Sequence, residues 1–153
     1  MKIMMMADIG GLRYFHVGDE AMFAANLYHL RHQMPSLDVI VTSRDPDYTA
    51  KKYKVKAISP IRFPFSSLRA GLKAPFILIN ILFLKYFNRI WADSQLAKIY
   101  DELSDCDLLF VSGAGNINSI FPNYLYWNFI MFKLANVLKK PIYVSSQTIG
   151  PFF

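Results

Sequence analysis

The sequence holds a single cysteine, Cys106, in 153 residues. One thiol excludes an internal disulfide and any cysteine-rich zinc site. It is compatible with a reducing, cytoplasmic setting. No neighbour would activate this thiol, so a packing role is expected for it. No secretory signal is expected either, because residues 1–7 are too short for an apolar core segment and Asp8 interrupts them. The greasiest run, residues 74–84, is cut by Lys85, Asn88 and Arg89. It falls short of the roughly 20 residues a spanning helix needs, so a buried or interfacial helix is expected. Also missing is a Gly-x-Ser-x-Gly elbow, which leaves hydrolase chemistry at Ser145-Ser146 without support. The first strand is not followed by Gly-x-Gly-x-x-Gly, and only Arg44-Asp45 stands near the end of the second. A dinucleotide-binding domain is therefore the weakest of the α/β readings. There is no internal repeat and no low-complexity tract.

What is present is an apolar chain. Apolar residues make up 54% and aromatics 16%, enough to bury a core and to exclude a disordered chain. The net charge is +6. Most of the excess lies in Lys51, Lys52, Lys54, Lys56, Arg62, Arg69, Lys73, Lys85 and Arg89. Such a basic middle suits an anionic neighbour, or simply a solvated face.

The apolar patterning predicts alternating strands and helices. Strands are expected over residues 2–8, 37–43, 55–58, 107–112 and 141–145. Helices are expected over 19–34, 47–53 and 124–138, with a long helical segment over 68–103 broken near Pro75. This order implies an α/β fold of one domain spanning residues 1–153. It is doubly wound and Rossmann-like, with a mostly parallel sheet flanked by helices.

In such a sheet, ligands bind at the carboxyl ends of the strands. Three glycine-bearing segments fall there: Gly10 to Glu20, Ser112 to Asn116, and Gln147 to Pro151. Gly113 and Gly115 are expected just past the central strand, as an anion-binding backbone nest or as a tight turn. Asp19 and Glu20 open the first helix, where carboxylates suit the helix dipole and would oppose a phosphate. A functional role for them would involve sugar hydroxyls or proton transfer. His16, beside Arg13 and Tyr14, is a candidate acid or anion contact, with a solvated loop histidine as the alternative. His29 and His32 lie three apart without a third ligand, so no metal site is expected.

The three segments together resemble the polysaccharide pyruvyl transferase family. The shared features are Gly18-Asp19-Glu20-Ala21 at a helix start, Asp107 through Ser112-Gly113-Ala114-Gly115-Asn116, and Gln147-Thr148-Ile149-Gly150-Pro151. Ala114, Ser146 and Thr148 replace glycines usual in that pattern, and His16 stands near its usual asparagine. The resemblance implies one half of a two-domain, GT-B-type architecture. It also implies transfer of a pyruvyl group from phosphoenolpyruvate, as donor substrate without a further cofactor, to a sugar. Asp19, Glu20 and His16 would then be catalytic, and Arg13, Gly18, Gly113, Gly115, Asn116, Gln147 and Gly150 would bind substrate. Expected partners are a C-terminal domain or second chain, and a glycan or lipid-linked acceptor. The basic, apolar stretch from Arg62 to Arg89 allows peripheral membrane contact. A homo-oligomer is left open, and nucleic acid is not expected. The expected location is the cytoplasm, with the inner membrane face as an extension of that reading. Whether this domain turns over alone is left open. A nucleotide-sugar transferase and a catalytically silent binding domain stand as alternatives.

Overall fold

A computed structural model describes residues 1–11, 16–63, 67–87, 94–120, 122–150 and 152. Strands β1 (Lys2–Met6), β2 (Asp38–Thr42), β3 (Lys56–Ile58), β4 (Leu108–Ile117) and β5 (Ile142–Ile149) alternate with helices α1 (Val17–Gln33), α2 (Pro46–Tyr53), α3 (Ser67–Phe87), α4 (Ser94–Ser104) and α5 (Pro122–Val137). The strands form one sheet in the order β3-β2-β1-β4-β5, and every neighbouring pair is parallel. The chain winds outward from β1 to β3, crosses back over α3 and α4, and continues from β4 to β5. This is the doubly wound order expected from the sequence.

Strand β1 shows why the sheet is central. Ile3 and Met5 point to one face and Met4 and Met6 to the other, all buried. A strand covered on both sides reads as a continuous apolar run. On the first face lie Phe23 and Leu27 of α1, with Tyr53 of α2 packed against them. On the second lie Ile77 and Ile81 of α3, Leu96 and Ile99 of α4, and Ile130 and Leu134 of α5. Cys106 sits in that second core, its thiol donating to the Glu102 carbonyl at 3.1 Å. Burial pushes its pKa up to about 11. At pH 8 it is therefore expected to resist iodoacetamide in the folded protein and to react on denaturation, which mass spectrometry reads directly. Native labelling at the rate of a free thiol would contradict this.

Two expectations need correction. The long helical segment does not break at Pro75, because α3 runs from Ser67 through it to Phe87. Pro75 is exposed, and the residue four before it, against whose carbonyl the ring would press, is Gly71, which adds no side chain to the crowding. The second correction concerns the glycine segments. They are not loops beyond short strands: β4 continues through Gly113-Ala114-Gly115-Asn116 to Ile117, and β5 through Gln147 to Ile149. Each extension has a partner in the other, with Ala114 opposite Gln147, Ile117 opposite Ile149, and an irregularity between the two pairs. Backbone groups in a ladder are satisfied there, which holds glycine-rich chain extended. Gly150, at φ +91°, ends the ladder, and its N–H donates to the Ile117 carbonyl at 2.8 Å.

Candidate active site

Strand order reverses between β1 and β4, and in doubly wound sheets the carboxyl ends at such a reversal are where a ligand crevice is expected. The segment after β1, the start of α1 and the turn after β4 border it. Helix α1 is held on β4 by two contacts. Asn26 donates to the Ser112 hydroxyl of β4 at 2.8 Å. Met22 lies so close to Gly113 that a Cβ there would sit 2.6 Å from its Sδ and 3.0 Å from its Cβ.

The charges at this edge form a cluster. Asp8, just past β1, is paired with Arg44, just past β2, at 2.9 Å, and the Asp8 side chain is only 8% exposed. Arg44 also lies over the Tyr124 ring of α5 at 5.0 Å, a cation–π contact. Its backbone N–H donates to the Ile9 carbonyl at 2.9 Å, tying the two loops together. Asp19, half-buried in the first turn of α1, joins this cluster. Burial raises its pKa, the Asp8 charge raises it further, and His16 and Arg44 act in the opposite direction.

The linkage sign follows from that shift. A carboxyl group whose pKa is raised by folding favours the fold at low pH and opposes it once ionised. Asp19→Asn is therefore expected to raise the melting temperature at pH 7. The gain should vanish below the unfolded pKa of about 3.9. Melting curves across this range check it; a destabilised Asn variant at neutral pH would contradict it.

The other sequence-predicted residues are placed as follows. His16 is exposed and sits at the N-cap of α1 without a side-chain capping bond. Its carbonyl accepts from the Glu20 N–H at 2.9 Å. Gly18 is exposed, and a Cβ there would meet nothing within 4 Å. Glu20 turns away from the crevice and is buried against α2. It accepts from Lys52 at 3.0 Å and from the Tyr53 hydroxyl at 2.6 Å, and its second oxygen has no protein partner among the described residues. Burial and the Glu20 bond both raise the Tyr53 pKa, so that hydroxyl stays a donor. Gly113, Gly115, Asn116 and Gln147 lie within the paired ends of β4 and β5, and Gly150 closes them. Arg13 lies outside the described residues. His29 and His32 are exposed, and no metal-competent group of three ligands occurs among the described residues. Asp45, the one acidic residue near the end of β2, caps α2 by accepting from the Tyr48 N–H at 3.0 Å.

Sequence reasoning missed Asp8, Arg44 and Tyr124 as site residues. The signal was there for the first two: each lies two residues past a strand, and neighbouring parallel strands bring their carboxyl ends together.

The chain is a doubly wound, all-parallel α/β domain with mixed charge gathered at the switch point of its sheet. The family model for polysaccharide pyruvyl transferase matches residues 16–153, and the chain belongs to that family. No curated protein and no solved structure matches it significantly. No helix among the described residues is long and apolar enough to cross a membrane.

Proposed function

We propose that this chain forms the N-terminal half of a two-domain, GT-B-like transferase. It would move a pyruvyl group from phosphoenolpyruvate to a cell-surface polysaccharide or its lipid-linked precursor. The observation that carries this reading is the cluster of Asp8, Asp19 and Arg44 beside His16 at the crevice of a chain in this family.

The chemistry explains why such a cluster suits the reaction. Two sugar hydroxyls form bonds to C2 of the donor, the bond from C2 to the phosphate oxygen breaks, and C3 gains a proton to become a methyl group. Of the two protons released by the hydroxyls, one balances C3 and the other leaves on inorganic phosphate. A group that takes a hydroxyl proton works best with its pKa shifted toward the operating pH. Asp19 has a pKa raised by burial and by Asp8, and we assign it that role. His16, exposed at the same helix start, suits proton exchange with solvent or donor. Arg44, with Arg13 as a candidate from its charge in the sequence, would attract the anionic donor. The space around Gly18 would admit a sugar ring close to the backbone. The backbone at Gly113, Gly115, Asn116, Gln147 and Gly150 would floor the crevice. Glu20 would act by fastening α1 to α2. A second α/β domain facing the strand ends would supply the remaining donor contacts, and the protein would work at the cytoplasmic side.

The test supplies the complementary domain and offers phosphoenolpyruvate or a nucleotide sugar with glycan acceptors. Inorganic phosphate released only with phosphoenolpyruvate and acceptor together is expected. Consumption of the nucleotide sugar instead, or no turnover of either, would overturn the proposal.

A further inference from the structure

Helix α3 carries two apolar faces where a covered helix needs one. Ala74, Ile77, Ile81 and Leu84 are buried in the core. On the opposite side Leu72, Phe76, Ile79 and Phe83 recur at helical spacing, and they are 70%, 51%, 51% and 43% exposed. Leu82 and Pro75 widen this stripe, and every exposed position of α3 from 72 to 83 is apolar. The stripe runs about 16 Å along the helix. Contiguous exposed apolar surface of this kind marks an interaction site.

The charge around the stripe says what would cover it. From residue 62 to residue 92, the stretch that holds α3, the sequence has no aspartate or glutamate and five lysines and arginines. Lys73, next to Leu72, holds its ammonium over the Phe63 ring at 5.7 Å and donates to the Arg62 carbonyl at 2.9 Å. Arg62 itself is exposed. On α5, which packs on α3, exposed Phe129 lies 5.5 Å from the Lys133 ammonium. A second copy of the chain would bring two such cationic stretches together, at a cost in like-charge repulsion. An anionic bilayer suits both features: apolar side chains enter the headgroup boundary while lysines and arginines meet lipid phosphates. No helix among the described residues can span the bilayer, so the contact is one of lying on the surface.

We infer that the outer face of α3, through Leu72, Phe76, Ile79 and Phe83, docks this protein on an anionic lipid bilayer. The inference does not depend on the identity of the donor. It is tested by sedimenting the full chain with vesicles of phosphatidylcholine alone or mixed with phosphatidylglycerol. Binding to the mixed vesicles is expected to be at least about tenfold tighter than to the neutral ones and to weaken as salt rises. The doubly substituted Phe76→Glu, Ile79→Glu chain, altered only at exposed positions, should keep its circular dichroism and lose binding by about tenfold or more. The wild-type salt dependence is read without any variant. Equal binding to both vesicle types, no binding to either, or unchanged binding by the double variant would overturn the inference. A concentration-dependent dimer abolished by the same two substitutions would also overturn it, and would assign the stripe to a second copy.

Discussion

Gly113→Ala is expected to lower the unfolding free energy by about 2–3 kcal/mol, combining backbone strain with overpacking. The residue sits at φ +35°, which side-chain-bearing residues rarely adopt. The new methyl carbon would also lie inside the contact distance of Met22 Sδ, Cε and Cβ. The far end of Met22 can swing aside, but its Cβ moves only with helix α1. The helix would have to lift from β4, stretching the bond from Asn26 to Ser112. Because that movement opens the crevice, loss of activity should exceed what unfolding alone explains. Denaturant unfolding measures the first effect. Met22→Ala in the same chain should return part of the loss, since it removes the Sδ and Cε contacts and leaves the Cβ contact and the φ strain. Additive effects of the two substitutions would contradict the contact.

Arg44→Ala is expected to cost about 3 kcal/mol, the lower range for breaking a buried ion pair. The substitution strips Asp8, nearly buried, of its cation and removes the charge that restrains Asp19. The Asp19 pKa should then rise further, because Arg44 is one of the two groups lowering it. The sign follows: the deficit is largest where Asp19 is ionised and shrinks as pH falls through its raised pKa. Melting curves of wild type and variant at several pH values read both the size and the slope. A deficit independent of pH would show that packing against Tyr124, and not charge, holds Arg44 in place.

Much of this architecture can be read from apolar periodicity. Lys2 to Met6, Asp38 to Thr42 and the stripe of Phe23, Leu27, Leu30 and Met34 declare buried strands and an amphipathic helix without tertiary information. The corrections arise where local chemistry yields to neighbours. Glycine ordinarily punctuates a strand, but Gly113 to Asn116 stays extended because the far end of β5 is there to pair with it. Proline ordinarily ends a helix, but Pro75 is tolerated on an exposed face after Gly71. For α3 the run of apolar residues hid a second face, since composition alone does not tell buried Ile77 from exposed Ile79. The motif order placed Asp19 at a helix start and Gly150 just past a strand, as the structure has them, but Gly113 lies inside β4 and not at its end. The motif order did not foresee the pair of Asp8 with Arg44, which depends on two loops far apart in sequence meeting in space. Nor did it separate Asp19 from Glu20. Adjacent residues on a helix point about 100° apart, and here one faces the charge cluster while the other is locked onto Lys52 and Tyr53.

That separation gives the most direct measurement of the central claim, that the crevice beside Asp19 is where a hydroxyl proton is taken. Transfer from labelled phosphoenolpyruvate to glycan is followed for wild type and Asp19→Asn with the complementary domain supplied. The account predicts a turnover loss of about 100-fold or more, in the range of general-base removal, in a variant that melts no lower than wild type at pH 7. Full turnover in a folded Asp19→Asn protein would contradict it.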